Sequence, residues 1–224
     1  MKDDNILTGN NPQLAKLIGE DNGMYEEENI YLFWDNSNIH FVGMNNVLPV
    51  REPSVDPQLY RTHFKNLLNV VRAFKHRKIR KVYMIGSIPP KDDVLWAYIQ
   101  SLNIELRTLH RTAENKEVGV DESLQVHMQQ IILDEPPGTI ALLSGDGAAS
   151  NLGIGFLQIL NSAVRHGWKA QVYSWDAGCS GQIKKFANEN DNADYVRLDD
   201  YYEQITFIKG QRQATDYKYT VRLG

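Results

Sequence analysis

From Asn29 onward the chain alternates short apolar runs with amphipathic stretches of helical period, and no other feature narrows its fold as far. Ile30–Trp34, Lys81–Ser87, Thr139–Leu143 and Ala170–Trp175 are the strand-length runs. Strands this apolar are buried on both faces, so helices must separate them in sequence and cover them in space, as in successive βα units around a parallel sheet. After a Pro-containing loop, Asp56 and Pro57 supply an N-cap and a first-turn proline for a helix reaching about His76. Its apolar positions Tyr60, Phe64, Leu67, Leu68, Val71 and Phe74 keep helical spacing. Further helices are predicted over Lys91–Leu102, Asp121–Leu133, Leu152–His166 and Gln182–Asn190. Ile104–His110 alternates more than the other strands and is predicted toward a sheet edge. Ile205–Lys209 and Tyr217–Arg222 are read as a C-terminal hairpin.

At 224 residues the chain is long enough for one domain, or one with an appendage. Its net charge of −4 excludes binding to nucleic acid by bulk positive charge. That charge is unevenly placed, because residues 1–30 hold seven acids and two bases while the rest holds 21 acids and 22 bases. Residues 1–28 therefore read as an acidic leader expected to be mobile, 29–204 as the folded domain and 205–224 as a C-terminal extension. The single cysteine, Cys179, closes no internal disulfide and excludes a cysteine-based zinc site. With no apolar run near the ~20 residues of a membrane span, the expectation is a cytoplasmic protein with no membrane partner.

Ligands of open parallel sheets bind beyond the carboxyl ends of the strands, and three acids fall there. Asp35 closes the first strand in FWDNSN, Asp121 opens a helix in VGVDESL, and Asp146 follows the strand ALLSGD. Each has a plain structural role open to it: a helix cap for Asp35 and Asp121, a turn position for Asp146. Together, carboxylates brought from separate segments repel unless a cation holds them, and oxygen-only ligands suit Mg²⁺ or Mn²⁺. Such a site suits phosphodiester hydrolysis.

At these motifs the sequence resembles the NYN family of PIN-like ribonucleases. The resemblance rests on Asp35 with Asn38 three residues on, Gly119-Val120-Asp121 at the head of a helix, and Ser144-Gly145-Asp146-Gly147 after a strand. It covers about Asn29 to Asp200. It implies a three-layer α/β/α sandwich of Rossmann-like kind with a mainly parallel sheet, a Mg²⁺ or Mn²⁺ cofactor, RNA cleavage, and Asp35, Asp121 and Asp146 as metal ligands. Two positions depart from the family's pattern. Ala148 stands where a second aspartate is usual in the Ser-Gly-Asp-Gly-Asp motif, and His127 where many members carry another acid.

RNA, single-stranded or structured, is the implied partner, and a homodimer stays open. Arg111, Lys116, Lys184 and Lys185 are candidate substrate-binding residues, and the helix beginning near Ser180 offers free N–H groups for a phosphate. His40 and Phe41 are candidates for stacking on bases, whereas Trp34 and Trp175, inside apolar strands, read as core. Asn38 and Ser144 are supporting residues able to orient a carboxylate. His127 is either a further ligand or proton carrier, or a plain surface residue. The basic stretch Arg72–Lys81 is expected on the opposite sheet edge. Two readings follow: a metal-dependent endoribonuclease, or the same module with a weakened metal site that binds RNA or a protein without turnover.

Overall fold

A computed structural model describes residues 28–73, 77–87, 98, 101–102, 105–109, 120–146 and 155–217. The first strand, β1 (Glu28–Asp35), is buried from Ile30 to its end. It leads without a break into α1 (Asn36–Val42), a π-helical turn (Gly43–Val47) and α2 (Leu48–Arg51). A 3-10 turn (Pro57–Leu59), β2 (Tyr60–Thr62) and α3 (Phe64–Arg72) precede β3 (Arg77–Ser87) and β4 (Glu105–Leu109). Then come α4 (Val120–Asp134), β5 (Thr139–Leu143), α5 (Phe156–Arg165), β6 (Lys169–Ser174), α6 (Gly181–Glu189), β7 (Ala193–Arg197), α7 (Tyr202–Ile205) and β8 (Thr206–Ile208).

Six strands form one sheet in the order β4-β3-β1-β5-β6-β7, each pair parallel. Chain order runs outward from β1 through β3 to β4, then returns to the other side of β1 and runs outward again from β5. The switch point therefore lies between β1 and β5, the place at which open sheets of this kind bind their ligands.

Alternate residues of β1 feed two cores. Ile30, Leu32 and Trp34 pack with Ile39 of α1, Leu67 and Val71 of α3, and Ile205 of α7 on one face. Tyr31 and Phe33 pack with Leu124 and Met128 of α4, Ile159 and Leu160 of α5, and Ile183 of α6 on the other. The result is a three-layer α/β/α sandwich. Leu32, Phe33 and Trp34 have no exposed surface, and each such side chain stabilises the fold by roughly 1.5–3 kcal/mol. No helix among the described residues is long and apolar enough to cross a membrane.

Several expectations need correction. The single helix expected from Pro57 to His76 is a 3-10 turn, a strand and a shorter helix. Tyr60–Thr62 pairs antiparallel with Thr206–Ile208, and that pairing extends residues whose spacing also fits a helix. His63 then starts α3, its Nδ1 accepting the Asn66 N–H at 3.1 Å. The loop expected after β1 is largely helical. Within the strand expected at Ile205–Lys209, Thr206–Ile208 pairs with β2; of its expected hairpin partner Tyr217–Arg222, only Tyr217 lies within the described residues. Most of Lys91–Leu102, the leader and the first residues of the predicted helix at Leu152 also lie outside them. β4 occupies a sheet edge, as its alternation indicated.

The basic stretch Arg72–Lys81 lies, as expected, at the end of the sheet opposite Asp35, and one of its bases is buried there. β3 begins at Arg77, and that side chain is 2% exposed, held by Glu28 at 3.0 Å, Gln171 at 2.7 Å and the Val71 carbonyl at 3.2 Å. Burial opposes ionisation of Glu28, but Arg77, Thr139 and Lys169 together hold its carboxyl below the ordinary range.

Burial also pushes the His63 imidazole below its ordinary pKa. A neutral ring is what the cap requires, so the unfolded chain takes up the proton first. This part of the stability is complete above about pH 6.5 and is lost as the pH falls from there through the lower folded value. His63→Asn, which keeps a capping acceptor without the titration, is expected to flatten the denaturant midpoint between pH 7 and 5. An unchanged pH dependence in that variant contradicts the assignment.

Candidate active site

The site is built where β1 and β5 end side by side. Asp35 is the last residue of β1 and the N-cap of α1, its Oδ1 accepting the Asn38 N–H at 2.9 Å. That explains the spacing of the two residues: a cap accepts from the third residue beyond it. Only 6% of Asp35 is exposed. Across the switch point, Ser144 is fully buried at the end of β5. Its hydroxyl donates to Asp35 Oδ2 at 3.4 Å and accepts the Asp146 N–H at 3.3 Å. Asn38 Oδ1 accepts the Gly145 N–H at 3.0 Å, tying α1 to the β5 loop a second time.

Asp35, Asn38, Ser144 and Asp146 are thus one hydrogen-bonded group spanning the sheet's switch point. Asp121 is the second residue of α4, but its side chain lies outside the described residues, as do Arg111, Lys116 and Ala148. Among the described residues no three His, Cys, Asp or Glu side chains form a metal-holding cluster. The donors that do gather are oxygens, and the amide Oδ1 of Asn36, next after Asp35, is buried without a hydrogen bond. Oxygen-only donors fit Mg²⁺ or Mn²⁺ in chemical type.

The remaining candidates are placed differently. Ser180 caps α6, its hydroxyl accepting the Ile183 N–H at 3.3 Å, and its own N–H donates to the Gly145 carbonyl at 3.0 Å. It therefore holds the Asp146 loop by its backbone, and its hydroxyl is committed to the cap. Lys184 forms an ion pair with Asp176 at 2.6 Å and lies over the Tyr195 ring. That ammonium holds the Asp176 carboxyl below its ordinary range. Lys185 is exposed, 3.8 Å from Glu189.

His40 is half-buried beside Thr62 at 3.3 Å, and burial with the nearby Arg61 lowers its pKa, so it is neutral near pH 7. Phe41, edge-on to His40, is exposed, whereas Trp34 and Trp175 are fully buried core. His127 is not a plain surface residue. Its Nδ1 faces the Ser123 carbonyl at 2.7 Å and its ring tilts against Tyr83, 4.9 Å between centroids. A ring nitrogen against a carbonyl carries a proton, so Nδ1 is the donor of that bond.

Sequence reasoning missed the glycines that let this site close. A side chain at Gly145 would fall on the Gly178 carbonyl oxygen and the Ser174 hydroxyl. The Ser-Gly-Asp motif was visible, but the partner of its glycine was not.

A parallel α/β/α sandwich with acids at the ends of β1 and β5 defines a PIN-like class of protein. The chain belongs to the NYN domain family, whose model matches residues 29–196, and members of that family are in general nucleases. A solved structure, a Vibrio parahaemolyticus protein of unknown function, is similar at 16% identity with a TM-score of 0.53. The similarity covers 79% of this chain and 98% of that one, and it supports the fold alone. No curated protein matches the chain.

The Ser144 bridge makes a direct prediction. Ser144→Ala removes the hydroxyl that accepts from the Asp146 N–H and donates to a buried carboxylate, and is expected to cost roughly 1–3 kcal/mol in denaturant unfolding. A loss below about 0.5 kcal/mol contradicts the bridge.

Proposed function

We propose that this chain is a metal-dependent endoribonuclease that hydrolyses single-stranded or structured RNA, leaving a 5′-phosphate and a 3′-hydroxyl. The observation that carries the reading is the hydrogen-bonded run Asp35–Ser144–Asp146, laid across the switch point where ligands of such sheets bind. Asp35, Asp121 and Asp146 would hold Mg²⁺ or Mn²⁺. Once bound, the ion supplies Lewis-acid polarisation of the phosphodiester and a water of lowered pKa.

The chain's own residues do the positioning. Ser144 and the Asn38 N–H fix the two oxygens of Asp35, so the carboxylate meets its ligand already oriented. Asn38 and Ser180 fix the Gly145 peptide from both sides, which sets the start of Asp146. His127, six residues after Asp121 on the same helix, remains the candidate proton carrier. Arg111, Lys116 and Lys185 remain the candidates for phosphate contacts, and Phe41 for a base. The family assignment supports nuclease chemistry; RNA as substrate, the cytoplasm as location and a nuclease domain over 29–204 are part of this proposal. A binding-only module is the second reading, favoured by Ala148 at a position where the family usually supplies a carboxylate.

Labelled RNA and DNA, incubated with the protein in Mg²⁺, Mn²⁺ or EDTA, test the proposal. RNA cleavage that needs the metal and falls at least about a hundredfold in Asp35→Asn and Asp146→Asn is expected. Ala148→Asp is expected to raise metal affinity or rate. Equal cutting by wild type and variants contradicts the site; retained RNA without cleavage establishes the second reading.

A further inference from the structure

The 3-10 turn Asp176–Gly178, between β6 and α6, meets both segments that carry the described carboxylates at its last residue, Gly178. On one side, a methyl placed on Gly178 would meet Val42 Cγ1 at 2.7 Å, Cγ2 at 3.0 Å and Cβ at 3.3 Å. Val42 is the last residue of α1, the helix that Asp35 caps, and it packs against the core behind it. A β-branched side chain at a helix end has little rotamer freedom to move aside. On the other side, the Gly178 carbonyl sits against the α-carbon of Gly145, one residue before Asp146.

The turn itself is held firmly. Gly178 N–H donates to the Trp175 carbonyl at 3.0 Å, and Asp176 N–H to Asp199 Oδ2 at 2.7 Å. The Trp175 indole donates to the Ile39 carbonyl of α1 at 2.8 Å. Two residues beyond the turn, the Ser180 N–H holds the Gly145 carbonyl. A rigid backbone element is thus wedged between α1 and the β5 loop, and its thickness at the wedge is that of a glycine.

We propose that Gly178 is a positioning residue for the site: its bare α-carbon is the spacer that sets how closely α1, capped by Asp35, approaches the loop bearing Asp146. This rests on the nuclease reading for its functional consequence, but the spacer is a property of the backbone and is readable without activity. A displacement of about 1 Å between groups that must act together costs up to a hundredfold in rate, so a single methyl here is felt at the carboxylates.

The test is Gly178→Ala, alone and with Val42→Ala, in the full chain. Four readings are taken: RNA cleavage kinetics, Mn²⁺ affinity by titration calorimetry, thermal midpoint, and backbone amide NMR shifts. For Gly178→Ala, kcat and Mn²⁺ affinity are expected to fall on the order of tenfold, with KM for RNA within about twofold. The amide signals of Asn38, Gly145 and Asp146 are expected to move. Val42→Ala, which removes the methyls that the new side chain meets, is expected to restore all three readings. Loss of thermal stability with kcat, Mn²⁺ affinity and those amides unmoved overturns the proposal, as does a double variant whose midpoint recovers while the amides stay displaced. If Gly178→Ala does not fold, Val42→Ile presses on the same contact from the other side. The same amides must then move, and unmoved amides overturn the proposal. If wild type neither binds Mn²⁺ nor cuts RNA, the nuclease reading falls and the amide shifts with their rescue alone decide the spacer.

Discussion

A carboxylate buried at the end of the central strand, Asp35, is the constraint around which the upper end of the sheet is arranged. An ionised group taken out of water must be met by donors, and here they come from two directions. The Asn38 N–H meets one oxygen and so starts α1 immediately after β1; the Ser144 hydroxyl meets the other and so fixes where β5 ends. From those two bonds follow the entry angle of the first helix, the seat of the Gly145 peptide and the presentation of Asp146. The fold supplies strands that end side by side, and the carboxylate decides what their ends look like.

The two ends of the sheet use polar groups in opposite ways. At the lower end, Glu28, Arg77, Gln171 and Tyr173 satisfy one another: Arg77 spans Glu28 and Gln171, and the Tyr173 hydroxyl donates to Gln171 Oε1 at 2.9 Å. Positive and negative charge balance there. At the upper end the side chains joined across the switch point present oxygens, two carboxylates, the Ser144 hydroxyl and the Asn38 amide oxygen, which backbone N–H groups meet. Oxygens of that kind suit a hard cation, which is the reading proposed for this end, whereas the lower cluster is built on the ion pair of Glu28 and Arg77. That asymmetry separates the end that stabilises from the end proposed to act.

Much of this was legible in sequence where a signal is local. Thr139–Leu143 was read to the residue because Pro136, Pro137 and Gly138 bound it on one side and Ser-Gly-Asp on the other. Asp35, Asn38, Ser144 and Asp146 were legible because cap and turn spacings are written in the chain. The helical run after β1 was not, since its polar stretch and Pro49 read as loop and its π turn departs from a 3.6 period. β2 was lost for a different reason: a three-residue strand exists only through its partner, here β8 within the strand expected at Ile205–Lys209, and Tyr60 also fits a helical spacing. β7, with few apolar residues at the far edge, carried no run to notice. The roles of Gly145 and Gly178 belong to the same nonlocal class, because they are defined by what their missing side chains would strike.

The central claim is that the acids at the ends of β1 and β5 share one cation. Mn²⁺ added at substoichiometric amounts broadens nearby amide NMR signals, and so locates its own site. The account predicts broadening centred on residues 35–38 and 144–146, abolished in Asp35→Asn. Broadening centred instead on Asp176, Asp199 and Asp200, or spread without preference over the acidic residues before Asn29, would contradict it.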